Sequence, residues 1–230
     1  MTGLGSPLLR QTFPSGWYGK IPTTGDFVAR RVPGAFCDAW GGWLQRALEG
    51  ARSRLAHRWP DDYLDMPVWR FVLSPGLLTP EAWAGVMAPS GDSVGRHFPL
   101  TVASALPVRR LDALATLLAA RPWFDDIEEA LRAAMAHGAR LVTLDAAIAA
   151  RPFREEGLRY AGPQERMPEG FATFHLPGAA GRCAAAWLAE ASGDLPAAVL
   201  ACAELPPAEP FCAMMDGRWR EHGWLPGGAP

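Results

Sequence analysis

The chain has 230 residues, 49% of them hydrophobic, enough to build a sizeable core in one large domain or two small ones. A formal charge of −2 and an isoelectric point near 6.2 leave no excess of clustered Lys and Arg with which to hold nucleic acid or an anionic membrane. Cys37, Cys183, Cys202 and Cys212 form no C-x-x-C pair and read as reduced thiols. No run reaches the ~20 apolar residues a membrane span needs. The start carries no charged-then-apolar leader, so a soluble, cytoplasmic protein is expected.

Residues 1–14 are small, polar and Pro-containing, and are expected to be flexible. The stretch Gly16-Trp17-Tyr18-Gly19-Lys20-Ile21-Pro22-Thr23-Thr24-Gly25-Asp26-Phe27 then reads as a short strand and turn. From Ala35 to His57, Phe36, Ala39, Trp40, Trp43, Leu44, Ala47, Leu48, Ala51 and Leu55 recur at i, i+3, i+4 spacing, which predicts a helix packed against a sheet. Pro60 stops it, after Arg52, Arg54, His57 and Arg58 have placed cations at its negative pole.

Pro67–Leu73, Trp83–Met87 and Phe98–Leu106 are apolar runs divided by the turns Ser74-Pro75-Gly76 and Pro89-Ser90-Gly91-Asp92, which predicts an antiparallel meander. Helices are expected over Leu111–Ala120, from Pro122 to a C-terminal stop at Gly138, and over Leu141–Ala150. Glu128 and Glu129 read as a solvated acidic face of the second of these. Arg151–Pro168 reads as a long loop and Phe171–Leu176 as a strand. Cys183–Leu188 is open between strand and helix, Ala197–Leu205 resembles a buried strand, and Pro210–Met215 suits a short helix. The prediction is an α/β fold of the α+β type: a single domain over residues 15–220, a mainly antiparallel sheet flanked by helices, and a flexible tail over 221–230.

Chemistry is sparse. Gly19-Lys20 is followed by Ile21, and Pro14 stands where a phosphate loop needs its first glycine. The five histidines are isolated from one another, so neither a metal nor any other cofactor is expected. Ser90, Asp92 and His97 are neighbours in sequence, but no G-x-S-x-G elbow surrounds the serine. A hydrolase using Ser90 and His97 is therefore the rival to a non-enzymatic binding protein. A structural subunit of a larger assembly is a third possibility. Lys20, Asp26, Asp92 and Arg96 are the candidate residues, either as partner-binding charges or as turn-fixing ion pairs, with Arg96 pairing to Asp92 or to Asp26, the latter a candidate pair across the two Gly-rich turns.

Gly16-Trp17-Tyr18-Gly19-Lys20-Ile21-Pro22 with Gly25-Asp26-Phe27 resembles the N-terminal signature of the TagF (ImpM) family of bacterial type VI secretion. Trp40 with Trp43-Leu44, then Pro67-Val68-Trp69-Arg70-Phe71, then Pro89 to Leu100 resemble its later signatures in the same order. Ala185-Ala186-Trp187-Leu188 stands where the family often carries Ser-x-Trp-Trp, and lacks the serine and one tryptophan. The resemblance implies a post-translational repressor of secretion that acts through the system's forkhead-associated scaffold protein, in some cases beside a PppA-type phosphatase. It implies no catalysis by this chain.

Overall fold

The computed structural model describes residues 11–136, 138, 140–160, 167, 169–178 and 183–227. In chain order these form β1 (Thr12–Phe13), β2 (Ser15–Gly19), β3 (Val28–Arg30), α1 (Gly34–Leu55), α2 (Trp59–Leu64), β4 (Trp69–Leu73), β5 (Ala82–Ala88) and β6 (Leu100–Leu106). There follow α3 (Ala113–Ala119), α4 (Arg121–Ala136), α5 (Leu141–Ala149), β7 (Phe153–Arg154), β8 (Ala172–His175), β9 (Ala185–Ala189), β10 (Ala198–Cys202), α6 (Ala208–Asp216) and β11 (Leu225–Pro226). Nine strands make one sheet in the order β11-β8-β10-β9-β4-β5-β6-β2-β3, and β1 pairs with β7 beside it. Neighbours run antiparallel except β10 and β8. This is the expected α+β fold, with the meander β4-β5-β6 in the expected order. Among the described residues, no helix is long and apolar enough to cross a membrane.

The alternation of side chains along each strand divides the core in two. Trp69, Phe71 and Leu73 of β4 join Trp83 of β5 and Trp187 of β9 on the face covered by α1 and α6. Val72, Val86, Val102 and Leu188 point to the other face, covered by α3, α4 and α5. The buried stripe of α1 is Phe36, Trp40, Trp43, Leu44, Ala47, Leu48, Ala51 and Leu55, as its periodicity predicts except at Ala39, which is only half-buried.

An indole buried in apolar surroundings still needs an acceptor for its N–H. Trp40 Nε1 donates to Thr101 Oγ1 at 2.9 Å and Trp43 Nε1 to the Pro206 carbonyl at 2.8 Å. Gly85 sits opposite Phe71 in the ladder, where a Cβ would lie 2.3 Å from the phenyl ring, so only glycine lets that ring cross the strand.

The ambiguous Cys183–Leu188 run is a strand, β9. Its alanines are poor strand formers, yet Ala185–Ala189 is wholly buried between two helical layers, and that tertiary setting decides.

Three expectations are corrected. The tail expected to be flexible over 221–230 is anchored as far as it is described. Trp224 is buried, its indole N–H bonds the Pro210 carbonyl at 2.9 Å, and Leu225–Pro226 pairs with β8. Within the leading segment expected to be flexible, Phe13 is buried and pairs with Phe153, whereas residues 1–10 lie outside the described residues. In both ends one aromatic anchor outweighs a polar, Pro- and Gly-rich surrounding. The long loop expected over 151–168 contains β7 and a 3-10 turn at Glu155–Gly157, with 161–166 and 168 outside the described residues.

Candidate functional site

The two Gly-rich turns flagged in the sequence lie against each other at the β2-β6 end of the sheet. Gly19 closes β2 with φ +142, and a Cβ there would fall 2.2 Å from the Pro99 carbonyl oxygen, so the chain crosses the second turn only as glycine. The first turn then closes through Thr24 N–H donating to the Ile21 carbonyl at 3.1 Å. The second closes through Phe98 N–H to the Ser90 carbonyl at 3.0 Å and Asp92 N–H to the Arg96 carbonyl at 3.1 Å. Ser93 N–H reaches across to the Thr24 carbonyl at 3.0 Å and joins the two.

Asp92 is the centre of this junction. Its Oδ2 accepts from Lys20 Nζ at 2.8 Å and from Arg96 Nε at 2.7 Å. Its Oδ1 accepts from the backbone N–H groups of Val94, at 3.1 Å, and Arg96, at 2.9 Å. Burial would raise the carboxyl's pKa. The bonds from Lys20, the Arg96 amide and guanidinium, and Val94 overcome that and hold it well below the usual carboxylate range. Lys20 is buried, and its ammonium also lies 5.1 Å from the Phe27 ring centroid.

Arg96 is outward, its side chain 59% exposed, and its Nη2 donates to the Gly25 carbonyl. Of the two partners expected for Arg96, Asp26 is not the one it meets: Asp26 is exposed and accepts from its own neighbour, Phe27 N–H, at 2.8 Å. Asp92, four residues before Arg96 on the same turn, reaches the guanidinium instead. The structure thus unites Lys20, Asp92 and Arg96 and leaves Asp26 on the rim.

Ser90 is buried, and its Oγ donates to the Lys20 carbonyl at 2.8 Å. Its backbone is clamped by the Tyr63 hydroxyl, which donates to the Ser90 carbonyl at 2.7 Å and accepts from the Ser90 N–H at 3.1 Å. The His97 ring lies against Tyr63, centroids 5.0 Å apart. A nucleophile needs its hydroxyl free for a base. This one is turned inward onto a carbonyl, and an Asp92 carboxylate so firmly ionised is a poor general base. The junction can therefore order two turns and present Phe27, Val94 and Arg96 to solvent, all three exposed.

A second ionic cluster escaped the sequence. Arg70 points from β4 into the α4 face of the core with its side chain 3% exposed. Its Nε donates to Glu128 and its Nη2 to Asp125 Oδ1 at 2.8 Å, while Glu190 stands 4.0 Å from Nη1. Glu128, expected on a solvated face, is largely covered by this pairing. The available signal was Arg70 itself, a charge at an inward position of a strand otherwise made of Trp, Phe, Val and Leu.

No match was found among curated proteins. A solved structure, the crystal structure of PA0076 from Pseudomonas aeruginosa PAO1, is 32% identical with a TM-score of 0.72, over 89% of this chain and 94% of that one. That likeness reaches well into the C-terminal half, past the signatures read from the sequence. The TagF N-terminal domain, described as type VI secretion system-associated, matches residues 16–151, a span that holds both turns, Asp92 and Arg70. The chain belongs to the TagF family of type VI secretion system-associated proteins.

Proposed function

We propose that this chain is a non-enzymatic, post-translational repressor of type VI secretion. It acts in the cytoplasm by binding the system's forkhead-associated scaffold protein, in a pathway that includes a PppA-type phosphatase. The observation that carries the reading is the TagF match over residues 16–151. The junction at Asp92 supports binding over catalysis, because its polar groups are taken up in holding two turns together. In this reading Lys20 and Asp92 are the frame, and Asp26 and Arg96 are charges that the frame carries at its surface. A rigid frame lowers the ordering cost of docking a partner.

Deleting the gene should raise secretion under repressing conditions, and the tagged protein should retain the forkhead-associated protein in a pull-down. Unchanged secretion together with no capture would sink the proposal.

A further inference from the structure

A groove of about 1210 Å³ lies away from the Asp92 junction. It lies between the outer side of α1, the turn joining β4 to β5, residues 109–111 after β6, and residues 203–205 after β10. Its volume exceeds the roughly 300–1,000 Å³ of a small-molecule pocket. Trp43, Leu77, Leu78 and Leu205 supply an apolar strip, and Tyr160, 55% exposed, adds an aromatic wall.

Three arginines stand around that strip: Arg46, Arg109 and Arg110, all exposed. Some other surface arginines are paired, as Arg31 is with Asp145 at 2.8 Å and Arg121 with Glu190 at 3.1 Å. These three make no ion pair or hydrogen bond among the described residues. Asp38 and Glu204 share the groove without neutralising them. Cation thus exceeds anion here, in a chain whose formal charge is −2.

We infer that this groove docks an acidic peptide segment of a protein partner. Unpaired guanidinium forks match carboxylates in geometry and charge, and Arg with Tyr or Trp is the usual chemistry of a strong contact. The apolar strip takes side chains between the carboxylates. Asp38 and Glu204 would repel an unbroken row of phosphates, which disfavours nucleic acid. The inference rests on the proposed function only in taking the partner to be a protein.

The test titrates the full chain with a synthetic peptide of alternating Glu and Leu, with its Gln counterpart, and with oligo-dT. The Glu peptide should bind, and more weakly as salt rises. The Gln peptide, and the Glu peptide on the Arg109→Glu, Arg110→Glu double variant, should bind at least about tenfold more weakly. Arg132→Glu, an exposed arginine on α4, should change nothing. No binding, equal binding of the Gln peptide, equal binding of oligo-dT, or an undiminished double variant would each overturn the inference. So would a lower melting temperature in the double variant, since it would show the arginines holding this chain's own fold.

A pull-down separates the two claims. Capture of the forkhead-associated protein by wild type but not by the double variant supports the groove. Capture by both overturns the groove and leaves the function standing. Capture by neither counts against the function and leaves the groove to the peptide titration.

Discussion

Asp92 and Arg70 are both withdrawn from solvent, but they are opposite in sign and in setting. Asp92 lies in a turn, and four donors fill its two oxygens: one lysine, one arginine and two backbone amides. Arg70 lies on a central strand and is held by carboxylates from outside the sheet core, with its Nη1 making no hydrogen bond. The first site is complete by geometry, because every lone pair it offers has a donor aimed at it. The second is held by charge, because three carboxylates surround a guanidinium that none of them fully satisfies. Removing a charge should therefore injure the two sites differently.

The larger injury is at Arg70. Arg70→Ala strands Glu128 in a nearly covered position, and breaking a buried pair from one side costs about 3–5 kcal/mol. Urea unfolding would read it as a lower midpoint at unchanged slope. Arg70→Met combined with Glu128→Leu should recover most of the loss, since Asp125 and Glu190 are exposed and no covered charge is then left alone. A single variant as stable as wild type would show that the charge is dispensable and erase the contrast.

Asp92→Asn comes next, with a smaller loss because the amide keeps the shape and some of the accepted bonds. Its signature is in pH. The folded-state pKa of Asp92 lies below its unfolded value of about 3.9, so the stability it contributes is fully present above that pH. It is lost as pH falls through the folded-state pKa. The melting temperature of Asp92→Asn should start lower at neutral pH and converge on wild type in acid. Curves that fall in parallel would mean that Asp92 is not the group responsible.

The same contrast explains what could be read in advance. The Asp92 turn was legible because glycine, proline and charge in one short stretch have few uses other than a specified bend. The helix α1 was legible from its periodicity, and the meander from apolar runs divided by Gly- and Pro-rich turns. The Arg70 cluster was not, because its partners come from residues 125, 128 and 190, and no local pattern links a strand arginine to them. Nor was the donor to Gly25: Arg96 and Asp26 sit suitably in sequence for a pair, but reach along one turn favours Asp92 over reach between two. Trp224 shows the same limit at the C-terminus, where burial depends on a pocket that α6 creates.

Ser90→Ala tests the junction's neutral component. It removes one buried hydrogen bond, to the Lys20 carbonyl, and should cost about 1 kcal/mol. If the chain represses secretion as proposed, that repression should persist in Ser90→Ala, because the hydroxyl faces inward. Loss of repression with the fold intact would revive the hydrolase.

Arg96→Ala should have the smallest effect on global stability, under about 1 kcal/mol, because an exposed ion pair contributes little. Its consequence is local. Arg96 uses Nε on Asp92 and Nη2 on the Gly25 carbonyl, so one planar group spans both turns. Arg96→Lys keeps the charge but has no fork to make both bonds at once, and should fail to restore the tie. Hydrogen exchange reads this directly. The Ser93 amide, which donates across to Thr24, should exchange faster in both variants, while amides in β5 and β6 stay protected. If Arg96→Lys protects Ser93 as wild type does, charge alone holds the turns together, and the junction is no more geometric than the cluster at Arg70.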